Sequence, residues 1–264
     1  MKKIFLSVVI ILGLGFMYKF FAQNSYKDFD TFDTSSINSY NIDYTLWNSL
    51  LQKYVDNNGF VNYKDLKDDE AKLLKFTSHL SQNTPNDSWT ENQKKAYLIN
   101  AYNAFTLQLV IENYPVESIR DIGGFLSNVF NKDFIEFNGE MISLDDIEKG
   151  MLLPMGDARV HFAVNCASFS CPKLDNKAFL PENLDQHLDQ TAKSFLNSER
   201  NIIKNNEIKL SKIFKWYKSD FEKQAKSLID FINLYSENKI KPDAKIDYLD
   251  YNWNLNSITN RVDS

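Results

Sequence analysis

One helix constrains everything else in this chain. Between Thr90 and Pro115, Ala96, Tyr97, Leu98, Ile99, Ala101, Tyr102, Ala104, Phe105, Leu107, Leu109, Val110 and Ile111 leave no polar stripe. A helix that is apolar all round has to be buried all round, so the remaining elements must wrap it. Ser88 with Glu91, or Thr90 with Gln93, supplies a capping box at its start, and Pro115 stops it after Tyr114. Asn100 and Asn103 lie inside the run, three apart and therefore on one face. A buried amide without partners costs roughly 1–3 kcal/mol. Each must bind backbone or another polar group, either to tie down a neighbouring loop or to serve a ligand or a reaction.

The flanking sequence supplies the wrapping. Asp43 can cap an amphipathic helix carrying Leu46, Trp47, Leu50, Leu51, Tyr54 and Val55, which Asn57-Asn58-Gly59 ends. Val61 and Tyr63 alternate as a short strand, and Leu66, Leu73, Leu74, Phe76 and Leu80 mark a second amphipathic helix. Asn138-Gly139 between alternating residues predicts a hairpin. Ser143 caps a short helix with Asp145, Asp146 and Glu148, acids that suit a first helical turn better than a metal, and Pro154 ends it. A strand is predicted over 159–165, with Val160, Phe162 and Val164 on one face and His161, Ala163 and Asn165 on the other. Pro181 opens a helix with Leu184, Leu188, Ala192 and Phe195 on its face, and His187 is read as surface. A second hairpin turns at Asn205-Asn206, followed by helical segments around Phe214 and Phe231 and an aromatic tail from Tyr248 to Leu255. Helices mixed with antiparallel hairpins make an α+β fold.

The N-terminus reads as a targeting segment. Lys2 and Lys3 precede an apolar run from Ile4 to Met17, and Phe20-Phe21-Ala22 leads into a polar start. That is a secretory signal, with cleavage expected near Ala22; an uncleaved anchor is the alternative. No cysteine stands near the boundary to carry a lipid. The expected organisation is a signal over 1–22, a flexible leader over 23–41 and one domain over 42–264. The protein is then exported, to a periplasm or the cell exterior, with no stable membrane insertion after cleavage. A net charge of -5 and a pI near 5.3 argue against nucleic acid as a partner. A small molecule or a peptide is expected instead.

Several segments carry a resemblance. Tyr97-Leu-Ile-Asn-Ala-Tyr-Asn-Ala104, Ser143-Leu-Asp-Asp-Ile-Glu148 and His161-Phe-Ala-Val-Asn-Cys-Ala-Ser-Phe-Ser-Cys-Pro172 resemble the domain-of-unknown-function family 547. The likeness extends to Asn58-Gly-Phe-Val-Asn-Tyr63, Trp216-Tyr-Lys-Ser-Asp-Phe221 and Tyr251-Asn-Trp253. It implies little chemistry. A weaker likeness, a buried helix followed by a histidine-bearing strand, is to transglutaminase-like and papain-like cysteine hydrolases. It would put His161 near the base position, although the helix lacks the cysteine those folds use.

The stretch Arg159–Pro172 holds both cysteines and one of the three histidines. Three readings of it remain open. In the first, Cys166 attacks an amide, ester or thioester, His161 takes its proton, and Asn100 or Asn103 orients the ring or donates to the oxyanion. Strand parity opposes this, because residues five apart fall on opposite faces unless the chain turns at Asn165. In the second, Cys166 and Cys171 form a disulfide, as a lone cysteine pair in an oxidising compartment usually does. In the third, His161, Cys166 and Cys171 bind zinc, but paired ligand spacing and a fourth ligand are missing. The leading expectation is a ligand- or peptide-binding module with the disulfide beside a polar pocket. The alternative is a thiol-dependent hydrolase or acyltransferase. No cofactor and no metal are expected.

Overall fold

The computed structural model describes residues 40–123, 128–204 and 207–261. The expected signal, the leader up to residue 39 and the Asn205-Asn206 turn lie outside the described residues. The helices are α1 (Thr45–Tyr54), α2 (Tyr63–Asp68), α3 (Glu70–Gln82), α4 (Glu91–Glu112), α5 (Leu184–Leu196), α6 (Ile213–Trp216), α7 (Lys218–Gln224) and α8 (Leu228–Tyr235). The strands are β1 (Ile135–Phe137), β2 (Glu140–Ile142), β3 (Ile202–Lys204), β4 (Glu207–Leu210) and β5 (Asp247–Tyr248). The fold is α+β.

Helix α4 is the predicted one, buried from Lys95 to Ile111 at every position but Gln108. Thr90 and Gln93 form the capping box: the Thr90 N–H donates to Gln93 Oε1 at 2.8 Å, and the Gln93 N–H donates to Thr90 Oγ1 at 3.3 Å. Its wrapping includes α1, α3 and the β1–β2 hairpin, where Trp47 stacks on Phe76 at 5.3 Å. The hairpin turns at Asn138 and Gly139, with φ of 53° and 78°, as that dipeptide requires. A second cluster gathers the faces of α5 to α8 around Phe162, Phe214, Phe221 and Phe231. There β3 and β4 pair antiparallel, and β5 adds parallel to β4.

Two local expectations are corrected. Val61 makes isolated bridges to Val55 and Ser257, while Tyr63 starts α2, because Asn62 caps a helix by accepting from the Asp65 N–H. The segment predicted as a strand over 159–165 begins as a 3-10 helix, Ala158–Phe162, and then turns. Asp157 caps that helix by accepting from the Arg159 N–H. Its residues divide between the two clusters: Val160, Ala163 and Val164 join the first, Ala158 and Phe162 the second. The alternation that reads as a strand is here a seam between two cores.

Candidate functional site

A cavity of about 180 Å³ opens at this seam. Tyr102 of α4, Val164 and Ile213 of α6 form its apolar floor, and His161, Cys166, Glu148 and Tyr251 also line it. The predicted parity conflict therefore dissolves. A 3-10 turn followed by a tight loop brings His161 and Cys166, five residues apart, onto one cavity.

Asn103 makes the loop possible. Its Nδ2 donates to the Ala163 carbonyl at 2.9 Å, and its Oδ1 accepts from the Asn165 N–H at 2.8 Å. These are backbone groups that a ladder would otherwise have used. Asn165 then clamps both ends of the cysteine loop. Its Nδ2 donates to the Pro172 carbonyl at 2.7 Å, while its Oδ1 accepts from the Ala167 N–H at 2.8 Å. Asn100 straps a different segment, accepting from the Phe179 N–H at 3.1 Å and donating to the Phe179 carbonyl at 2.7 Å. Neither Asn100 nor Asn103 lines the cavity. Both hold loops in place.

The expected bridge between Cys166 and Cys171 is corrected. Both are free thiols with their sulfurs 3.0 Å apart, a hydrogen-bonding distance well beyond the roughly 2.05 Å of a disulfide. Cys166 Sγ also meets Ser168 Oγ at 3.1 Å and Tyr251 Oη at 3.5 Å. Burial, and then the neighbouring Cys166, pushes the Cys171 thiol up, and burial does the same to the Tyr251 phenol. The Cys166 thiol moves the other way. Hydrogen bonds from Cys171, Ser168 and Tyr251 stabilise its thiolate and draw it down against the opposing effect of burial. The next residue, Ala167, sits at φ 57°, a left-handed conformation that costs a residue with a Cβ about 1 kcal/mol or more.

His161 is fixed from its far side. Nε2 pairs with Asp220 Oδ2 of α7 at 3.1 Å, and the ring lies 4.0 Å from that of Tyr217. The Asp220 carboxyl is held down at about 2 by hydrogen bonds from His161 and Lys223, despite partial burial. Glu148 accepts from the Tyr217 hydroxyl at 2.7 Å. It sits on a π-helical turn, Asp146–Leu152, capped as predicted by reciprocal hydrogen bonds between Ser143 and Asp146. Such widened turns re-aim side chains and recur at functional sites. His187, expected on the surface, is half-buried instead, stacked 4.1 Å from Phe179 and paired with Asp175 at 2.9 Å, and it does not line this cavity. Among the described residues, no group of three or more His, Cys, Asp or Glu is arranged to hold a metal.

Asp220, Tyr217 and Tyr251 were not singled out by sequence reasoning. They stand 59 and 85 residues from their partners His161 and Cys166 in the case of Asp220 and Tyr251. Their only signal was membership of the segments Trp216–Phe221 and Tyr251–Trp253 that carry the resemblance. No curated protein and no solved structure matches the chain. Residues 86–196 do match a family, and that segment holds Tyr102, Glu148, His161 and Cys166 but stops short of Asp220 and Tyr251. The core of the site, from α4 through the cysteine loop to α5, thus lies in the segment that matches the family described as protein of unknown function, DUF547.

Proposed function

We propose that the protein is a thiol-dependent hydrolase or acyltransferase with Cys166 as its nucleophile. One observation carries the reading: the sulfur meets three groups that favour its thiolate and shares a cavity with a histidine held by a carboxylate. Asp220 occupies His161 Nε2, which leaves Nδ1 as the nitrogen for proton transfer. In the reaction, Sγ attacks the carbonyl carbon of an amide, ester or thioester. The bond to the leaving group breaks, and that group departs with the proton His161 took from the thiol. Water or an acceptor nucleophile then attacks the thioester carbonyl, the C–S bond breaks, and the attacking group's own proton passes through His161 to the Cys166 sulfur. His161 is not itself a hydrogen-bond partner of Cys166, so this transfer passes through the substrate or a water.

The test is the mass of the native protein after brief treatment with iodoacetamide, without reductant. One adduct, placed at Cys166 by fragment ions and absent from Cys166→Ala, is the expected result. A protein that takes no label until reductant is added overturns the reading. We further propose that residues 1–22 are an export signal. The exported form should then begin near Gln23 on N-terminal sequencing.

A further inference from the structure

The cavity wall carries a buried carboxyl group, Glu148, with no ion-pair partner among the described residues, while Lys149 on the same wall pairs with Asp145. Glu148 is 6% exposed, and its only partner among the described residues is the neutral Tyr217 hydroxyl. The other carboxylate on the wall, Asp145, is satisfied by Lys149 at 2.8 Å. A buried carboxylate costs several kcal/mol when it lacks a counter-ion, and a single neutral hydroxyl offsets only part of that cost. Aromatic faces complete the surroundings. Trp216, Tyr251 and Trp253 stack on one another at 4.6–5.9 Å along one wall. Trp216 is 48% exposed among the described residues, a large apolar ring open on the side away from Tyr251 and Trp253. Aromatic faces beside a carboxyl group attract organic cations through the ring quadrupole as well as through charge.

We infer that the group accepted beside Cys166 carries an alkylammonium, with Glu148 as its counter-ion and the Trp216–Tyr251–Trp253 wall as its apolar and cation–π support. The inference rests on the reading of Cys166 as the reacting centre and narrows its substrate class to amines. An acyl donor or an acceptor that carries the ammonium away from its reacting atom meets this description.

The probes are three methanethiosulfonates, each of which forms a mixed disulfide with a thiolate and releases methanesulfinate: trimethylammonioethyl, methyl and sulfonatoethyl. Rates at Cys166 are divided by those of a small free thiol under the same conditions. The cationic reagent should exceed the anionic one on the order of tenfold or more, as one unit charge a few Å away in a partly buried site implies. Glu148→Gln, which keeps the shape and the bond to Tyr217, should remove most of that preference. The unmodified protein supplies a second arm. Tetramethylammonium chloride should slow the neutral reagent, whereas tert-butanol and an equal concentration of sodium chloride should not. Equal normalised rates for cation and anion, or a preference that survives Glu148→Gln, overturns the inference while leaving Cys166 a reactive thiol. No reaction with the neutral reagent instead removes the reading on which it rests.

Discussion

Cys166 gains its thiolate from neutral donors. In many thiol sites a histidinium or a helix end does that work, but here the sulfur is met by a second thiol, a serine hydroxyl and a tyrosine hydroxyl. The sign of a substitution follows. Tyr251→Phe removes a donor that only the ionised form uses fully, so the thiol moves back up and less thiolate is present at neutral pH. Alkylation at pH 7 should slow about three- to tenfold, the worth of one hydrogen bond of about 1 kcal/mol. At alkaline pH the two proteins should converge, because both thiols are then ionised. A pH profile of labelling rates checks this, and a constant ratio across pH would show that Tyr251 acts on access and not on ionisation. At this scale the sequence was partly legible. Cys166 and His161 stood out as chemistry-bearing types, while Tyr251 looked like one more aromatic of the tail.

Among the elements, the 3-10 helix Ala158–Phe162 and the loop after it decide whether the site exists. Asn103 holds the loop with two hydrogen bonds to buried backbone. Asn103→Ala should cost about 1–3 kcal/mol for each group left unpaired, read by denaturant unfolding, and should slow Cys166 labelling in protein that is still folded. Asp157 holds the other end. It pairs with Lys95 at 3.0 Å and Arg159 at 2.8 Å, and these contacts overcome burial to keep its carboxyl down at about 2. A depressed carboxyl contributes stability above its unfolded value, near 3.8, and loses that contribution as pH falls through about 2. Acid unfolding between those limits should therefore weaken in Asp157→Asn. At pH 7 that variant should lose about 3 kcal/mol, since it strands Lys95, 11% exposed, without its partner. The strand expectation over 159–165 failed for a specific reason. Alternation of Val160, Phe162 and Val164 satisfies a strand facing one core, but it equally satisfies a helical turn wedged between two. Only the side chains of Asn103 and Asp157, which compete for the backbone, distinguish the cases. The buried helix α4 was legible because no other arrangement could hide apolar residues on every side.

At the scale of the whole molecule, the two hydrophobic clusters share the seam at Ala158–Val164. They should consequently melt together. Far-ultraviolet dichroism, which reports mainly the helices, and tryptophan fluorescence should give coincident denaturant curves, and two separated transitions would make the clusters independent units. The α+β class was legible from the mix of helices and hairpins. The joining of distant segments at the cavity was not, because nothing in local pattern says that the tail from Asn252 to Ser257 returns to the cysteine loop. Yet it does: the Asn256 N–H donates to the Ala167 carbonyl at 3.2 Å, and the Phe169 N–H donates to the Asn254 carbonyl at 2.7 Å. That return has a consequence for biosynthesis. A chain made from its N-terminus emerges with Cys166 long before Tyr251, which lies 85 residues downstream. Until the tail docks, the sulfur lacks one of its donors and part of its loop support, and it behaves more like an ordinary thiol. On the proposed reading of Cys166, the nascent protein holds its sulfur disarmed until the later-made segment around Tyr251 docks.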